Sequence, residues 1–100
     1  MDVTLLYFND CPNWKVTSEH LDTLADEIPG LRVRRQEVTT MEDAQALQFR
    51  GSPSVIVNGV DAFAEPGDPA GLSCRMYQTP DGLAGTPTLR QLREVLLATN

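Results

Sequence analysis

The sequence is poor in basic residues and has no long apolar segment. It carries eight lysines and arginines against fourteen aspartates and glutamates, which gives a formal net charge of −6 at pH 7. A surface of this sign repels a phosphate backbone, so we expect no nucleic-acid partner. No stretch approaches the roughly 20 apolar residues that cross a bilayer, and Asp2 stands where a leader would carry positive charge. We therefore expect no membrane association and a cytoplasmic location.

Cysteine is also scarce, since Cys11 and Cys74 are the only two. They are far apart in the chain and lack the close pairing of a zinc ribbon or a CxxC redox motif. A pair of this kind does not form a disulfide scaffold, and we expect no permanent disulfide in a reducing cytosol. With 41% hydrophobic and 22% charged residues, the 100-residue chain has the composition of one ordinary globular domain covering residues 1–100.

The first half of the chain alternates strand and helix patterns. Residues 3–8 (VTLLYF) form an almost unbroken apolar run, which predicts a strand that is buried on both faces. Apolar residues at helical spacing follow from Pro12 to Ile28 and predict one helix packed on a sheet. Residues 31–38 predict a half-exposed edge strand. Thr40 resembles an N-cap for a short second helix, whose inward positions would be Met41, Ala44 and Leu47.

The second half predicts a hairpin, a loop and a helix. Asn58-Gly59 between β-rich halves is a strong signal for a two-residue hairpin turn. Residues 64–71 (AEPGDPAG) read as a loop, and residues 74–79 (CRMYQT) as a short extended segment without an evident partner. Thr86 and Pro87 then predict the N-cap and first position of a C-terminal helix. The resulting order, β-α-β-α-β-β-α, predicts an α/β fold with a central mixed sheet flanked by helices.

Two short motifs in this order carry a resemblance. CPNW (residues 11–14) lies where the first strand meets the first helix, and Ser52-Pro53 enters the hairpin. Together they resemble the thioredoxin-like superfamily, in which these places hold the CxxC motif and the cis-proline that faces it. The chain is similar in more detail to small bacterial thioredoxin-like proteins, some of which are described as alkylmercury lyase-like. Trp14 occupies the position of the second CxxC cysteine, so no disulfide can form within the motif.

Cys11 is the first candidate for chemistry. Its place before Pro12 predicts that it caps the first helix, where unpaired amides and the helix dipole favour a thiolate over a thiol. The neighbouring Asp10 opposes that effect electrostatically. We predict a nucleophilic Cys11, against the alternative of a buried structural cysteine. Cys74 is a candidate resolving thiol, and packing on its extended segment is an equal alternative.

Three further residues are predicted to bind substrate. The resemblance implies a cis peptide bond between Ser52 and Pro53, whose backbone would lie against Cys11 and align an extended substrate. The alternative is a proline that merely begins a strand. Trp14 is either a core anchor or a lid over the thiol. No glycine-rich phosphate loop, Ser-His-Asp order or Cys/His cluster at metal spacing occurs, so we predict no cofactor and no resident metal.

Three functions compete on these residues. The leading hypothesis is thiol-disulfide oxidoreductase chemistry on a protein or low-molecular-weight thiol, with Cys11 as nucleophile and Cys74 or an external thiol resolving the product. The second is a soft-metal or organomercurial site made by two thiolates and a carboxylate such as Asp10. The third is a non-catalytic binding module in which both thiols are incidental. The distance between the two sulfurs is the observation that separates the pair mechanisms from the others.

Overall fold

A computed structural model describes residues 1–64, 67 and 70–99 of the chain. The described residues form a mixed four-stranded sheet with strand order β2-β1-β3-β4, a separate two-stranded hairpin β5-β6, and three helices. In chain order the elements are β1 (Asp2–Tyr7), α1 (Trp14–Glu27), β2 (Arg32–Glu37), α2 (Met41–Ala46), β3 (Ser54–Val57), β4 (Val60–Asp61), β5 (Tyr77–Thr79), β6 (Gly82–Ala84) and α3 (Leu89–Thr99). The α/β class with a mixed sheet is thus confirmed.

Strand β1 lies in the middle of the sheet, as its apolar sequence predicts. It pairs in parallel with β2 and antiparallel with β3. Val3 and Leu5 are fully buried on one face, and Leu6 is 3% exposed on the other, because successive side chains of a strand point to opposite faces. β2 is an edge strand with mostly exposed side chains, which confirms the second strand prediction.

The main hydrophobic core lies between one face of the sheet and helices α1 and α3. Its buried members are Val3, Leu5, Leu21, Leu24, Ile28, Val55, Val57, Leu92 and Leu96. Each fully buried leucine or valine contributes about 1.5–3 kcal/mol relative to an exposed one. A second, smaller cluster of Leu6, Val38, Ala44 and Phe49 includes the other face of β1 and the residues around α2.

Helix α2 begins as predicted and ends early. The Thr40 hydroxyl accepts a hydrogen bond from the Asp43 amide at 3.1 Å, which confirms Thr40 as the N-cap. Ala44 is fully buried, but Met41 is 49% and Leu47 39% exposed, so two of the three predicted inward positions are wrong. The helix is only six residues long, and the turn after it directs the fully buried Phe49 into the cluster instead.

The predicted hairpin is present, and a second hairpin lies later in the chain. Asn58 and Gly59 adopt positive φ angles of 50° and 86° between β3 and β4, which confirms the predicted hairpin. In the later segment only Tyr77–Thr79 form a strand, and its partner is β6. The predicted loop 64–71 lies partly outside the described residues, which omit 65, 66, 68 and 69.

Helix α3 begins two residues later than the sequence predicts. The Thr88 hydroxyl accepts from the Gln91 amide at 3.1 Å, and the Gln91 side chain accepts from the Thr88 amide at 2.9 Å. This reciprocal capping box satisfies two amides at once, which the predicted cap at Thr86 cannot do. Thr86 instead shares a 2.5 Å hydroxyl–hydroxyl hydrogen bond with Thr17 of α1. Leu92 and Leu96 are fully buried, so one face of α3 packs in the main core.

Candidate functional site

The two cysteines are joined in a disulfide. Their Cα atoms are 5.8 Å apart, which is inside the limit of about 7 Å for such a bond. Cys11 is only 3% exposed, whereas Cys74 is an exposed residue. The sequence analysis predicts no permanent disulfide, but the two cysteines are joined in the structure. The sequence could not show this, because the path of the loop before Cys74 is not predictable.

Cys11 follows a turn after β1 and does not cap α1. Its amide donates to the Phe8 carbonyl at 3.0 Å, and the N-cap of α1 is Asn13, which makes no side-chain capping bond. The prediction that Cys11 is the N-cap is therefore wrong. A separate turn, closed by the Lys15 amide on the Pro12 carbonyl at 3.1 Å, precedes the regular helix and shifts its start to Trp14.

Cys74 is held next to Ser52 by backbone pairing. The two residues form an isolated parallel β-bridge. The Ser52 amide donates to the Ser73 carbonyl at 2.8 Å, and the Arg75 amide donates to the Ser52 carbonyl at 2.9 Å. Both backbone polar groups of Ser52 are thus bonded to the chain's own segment 73–75, which takes the pairing that we expected an extended substrate to make at this residue.

The Ser52-Pro53 peptide bond is cis, which confirms the prediction made from the resemblance. Ser52 and Pro53 are buried, and the Pro53 carbonyl accepts a hydrogen bond from the Tyr77 hydroxyl. The Ser52 hydroxyl is buried and has no hydrogen-bond partner among the described residues. Ser52 and Pro53 are therefore buried beside the disulfide, and Ser52 pairs with the exposed residue Cys74.

A buried ion pair follows Cys74 directly in the chain. Arg75 donates to both carboxylate oxygens of Asp61, at 2.8 and 3.3 Å, and the two side chains are 8% and 3% exposed. The guanidinium also donates to the Phe63 carbonyl at 2.8 Å and to the Ser54 hydroxyl at 3.3 Å. Loss of one partner from such a buried pair costs about 3–5 kcal/mol, because the other charge is left uncompensated.

Tyr77 closes the same cluster from the β5 side. The guanidinium carbon of Arg75 lies 4.9 Å from the centroid of its ring, and Phe63 packs edge-on at 5.3 Å between ring centroids. Burial raises the pKa of Tyr77 well above its ordinary value, with opposing and supporting contributions from the charges of Arg75 and Asp61. The hydroxyl is therefore neutral at physiological pH and can donate to the Pro53 carbonyl.

Trp14 packs against the main core, and its ring stacks on that of Tyr7. The ring centroids are 4.1 Å apart and the planes are inclined by 23°. Trp14 is half-buried, and its indole nitrogen has no hydrogen-bond partner within the described part of the chain. The core interpretation of this residue is confirmed, and its contact with a substrate stays a prediction.

The fold thus brings Cys11, Cys74, Ser52 and Pro53 together, and places Trp14 on the adjoining start of α1. Asp61 is the residue that the sequence analysis missed. Its one available signal is a carboxylate inside the short strand after Asn58-Gly59, and nothing in the sequence links it to Arg75. Among the described residues, no group of three or more His, Cys, Asp or Glu side chains is arranged to hold a metal ion. Nor does any helix described here combine the length and apolar character needed to span a membrane.

Comparisons of the chain with protein-family models, curated proteins and solved structures gave no significant match. The assignment of function therefore depends on the geometry of the site.

Proposed function

We propose that the protein is a thioredoxin-like thiol-disulfide exchange protein whose redox couple is Cys11 and Cys74. The observation that carries the proposal is the disulfide between a buried and an exposed cysteine, with Cα atoms 5.8 Å apart. Cys74 is the exposed residue of the pair, and accessibility is one of the factors that govern rates of exchange with an external thiol.

The topology supports the thioredoxin-like part of the proposal. Parallel strands β1 and β2 are connected through α1, and the antiparallel hairpin β3-β4 extends the same sheet. Cys11 follows β1, and Ser52-Pro53 immediately precedes β3. The additional hairpin β5-β6 lies between β4 and α3 and follows the segment that carries the second cysteine. Trp14 stands where a CxxC motif has its second cysteine, and in our proposal Cys74 provides that second thiol instead.

The exposure of the two residues supports a defined order of steps. An external thiolate attacks the Cys74 sulfur, a new disulfide forms between them, and the Cys11 sulfur leaves as a thiolate. A second external thiolate then attacks the external sulfur, releasing a small-molecule or protein disulfide and the Cys74 thiolate. Two electrons pass to the protein, and two protons from the external thiols balance the two protein thiolates. This order exchanges the roles predicted from the sequence. When the reduced protein acts on a substrate disulfide, Cys74 is the nucleophile and Cys11 resolves the mixed disulfide.

A reversible bond also reconciles the disulfide with the expected cytoplasmic location. Cytosolic disulfides are usually transient and belong to catalytic or redox-sensing sites, since glutathione and thioredoxin systems keep thiols reduced. The substrate of the proposed reaction is a protein or low-molecular-weight thiol or disulfide. Neither a metal nor an organic cofactor enters the balanced reaction.

The test compares the reduced protein with its serine variants. Reduction of a peptide–glutathione mixed disulfide at pH 7 is followed by mass spectrometry for the wild type, the two single variants and Cys11→Ser/Cys74→Ser. We expect acceleration by the wild type and trapping of glutathione on Cys74 in Cys11→Ser. A wild type no faster than the double serine variant would eliminate exchange and favour the binding-module alternative. Faster trapping on Cys11 in Cys74→Ser would reverse the proposed order.

A soft-metal or organomercurial site is a second candidate, favoured by the convergence of both cysteines. When reduced, the pair offers two thiolates to an ion that prefers sulfur ligands. This function predicts that mercury binds stoichiometrically to the reduced protein and that either single serine variant loses this binding. If only one of the two variants loses mercury, capture by the pair is wrong.

A further inference from the structure

The position of Cys74 is fixed by contacts that do not involve its sulfur. The residues on both sides of it, Ser73 and Arg75, hydrogen-bond to the backbone of Ser52 at 2.8 and 2.9 Å. Gly51 has a φ of 107°, and a Cβ atom there would lie only 3.0 Å from the Arg75 Cβ atom. The backbone of the segment is therefore packed directly on the chain that precedes β3.

The side chain of Arg75 anchors the same segment to the sheet. Its partner Asp61 is in β4, and β4 pairs with β3 in the main sheet. Asp61 is held in turn: its Oδ1 atom accepts from the Phe63 amide at 3.0 Å, and Arg50 lies 3.7 Å from its Oδ2 atom. A bidentate, buried contact of this kind fixes geometry as well as charge. The cluster thus connects the residue after Cys74 to the main sheet through contacts that do not involve the disulfide.

We propose that Asp61, through Arg75, is the positioning residue that keeps Cys74 beside Cys11 when the pair is reduced. This inference rests on the proposed function, because it concerns the dithiol form of the same couple. Preorganised thiols have a high effective concentration for each other, since little chain entropy remains to be lost when the bond forms. Asp61 therefore raises the equilibrium constant for oxidation of the pair by glutathione disulfide, a reaction that yields the protein disulfide and two molecules of glutathione.

Asp61→Asn tests the proposal with a nearly isosteric change. The wild type and the variant are equilibrated in glutathione redox buffers, and the dithiol fraction is measured by alkylation and mass spectrometry. We expect at least a tenfold fall in the equilibrium constant for disulfide formation, which corresponds to a reduction potential about 30 mV less negative. The reduced variant should also lose hydrogen-exchange protection at the Arg75 amide, which the reduced wild type retains.

Glu27→Gln is the control for removing a carboxylate from an ion pair elsewhere in the fold, here an exposed pair. It removes the carboxylate from another bidentate pair, with Arg93 at 2.9 and 3.0 Å, at the far end of α1 from Cys11. We expect its equilibrium constant to stay within about twofold of the wild type, well short of a 30 mV change. A folded Asp61→Asn that behaves like this control would overturn the positioning role.

Arg75→Lys covers the case in which Asp61→Asn does not fold. It keeps a positive charge beside Asp61 but cannot reproduce the two hydrogen bonds that the guanidinium donates to the carboxylate. We expect a shift in the same direction as for Asp61→Asn, about threefold in the equilibrium constant. In that case, an unchanged constant in Arg75→Lys would reject the inference. The measurement needs no substrate turnover, so failure of the exchange function and failure of the positioning role are separate results.

Discussion

The Tyr77 hydroxyl donates a hydrogen bond to the Pro53 carbonyl across 24 positions of sequence. Tyr77 begins β5 and Pro53 directly precedes β3, so this single bond joins the added hairpin to the main sheet. Both residues are buried, so neither the hydroxyl nor the carbonyl can form a replacement hydrogen bond with water if its partner is removed. The bond is therefore a structural link beside the disulfide. The Tyr77 hydroxyl that makes it also has a protonation state that is coupled to folding.

Stability should fall at alkaline pH because of Tyr77. Burial raises its pKa above the value of about 10 in the unfolded chain, so above pH 10 the unfolded chain loses this proton first. The contribution of the protonated Tyr77 hydroxyl to the free energy of unfolding is fully present below pH 10 and decreases by about 1.4 kcal/mol per pH unit above it. Denaturant unfolding at pH 7–11 measures the effect.

Tyr77→Phe should lack that alkaline component. At pH 7 it should also lose about 1–2 kcal/mol, because the Pro53 carbonyl loses a buried donor. Tyr7→Phe is the control, since it keeps Tyr77 and should keep the steep alkaline loss. An unchanged alkaline slope in Tyr77→Phe would show that another group causes it.

Reduction should weaken the whole fold. The disulfide closes a loop with a sequence separation of 63, and the loop-entropy relation gives a stabilisation of about 4 kcal/mol for a loop of that length. Urea unfolding with and without a reductant measures the difference. Cys11→Ser/Cys74→Ser should show no dependence on the reductant, and a reductant effect that persists in this variant would point to a different cause.

Gly51→Ala should displace the segment that carries Cys74. The added methyl group would lie 3.0 Å from the Arg75 Cβ atom and 3.2 Å from the Ser73 carbonyl oxygen, at a backbone φ of 107°. Strain and overpacking together should cost at least about 2 kcal/mol. Gly59→Ala has a positive φ of 86° and open space around it, so it reports backbone strain alone. Equal losses in the two variants would mean that the close approach to Arg75 is unimportant.

The first hairpin turn offers a separable pair of changes at Asn58. Its side chain accepts a hydrogen bond from the Asp2 amide at 3.0 Å, and its φ is 50°. Asn58→Gly should lose about 0.5–1.5 kcal/mol with the bond, whereas Asn58→Ala should lose about 1–2 kcal/mol more from the left-handed backbone. Thermal unfolding of both variants decides between the two contributions. If the variants are equally stable, the backbone preference does not matter at this position.

Local patterns in the sequence specify much of the fold. The apolar run of β1, the Thr40 cap and the Asn58-Gly59 turn each predict a local structure, and each is present. Helix boundaries are less determined, because several residues near an end can supply the capping bond. For α3 the decisive pair was Thr88 and Gln91, which satisfy each other's amides.

Local patterns determined less of the candidate site. The resemblance identified Cys11 and the cis bond before Pro53, but the meeting of Cys11 with Cys74 depends on the path of a loop that has no periodic signal. Asp61 was missed because an ion pair of this kind depends on which side chains the fold buries together. No rule of sequence spacing relates a carboxylate in β4 to an arginine 14 positions later.

Composition and contacts between near neighbours were enough to predict the alternation of strands and helices, the acidic charge and a cysteine shortly after β1. They did not reveal that Cys74 reaches Cys11, that segment 73–75 pairs with Ser52, or that Asp61 holds Arg75. All three contacts have one cause. The partners are distant in the chain, so only the packing of the sheet and its added hairpin fixes their separation.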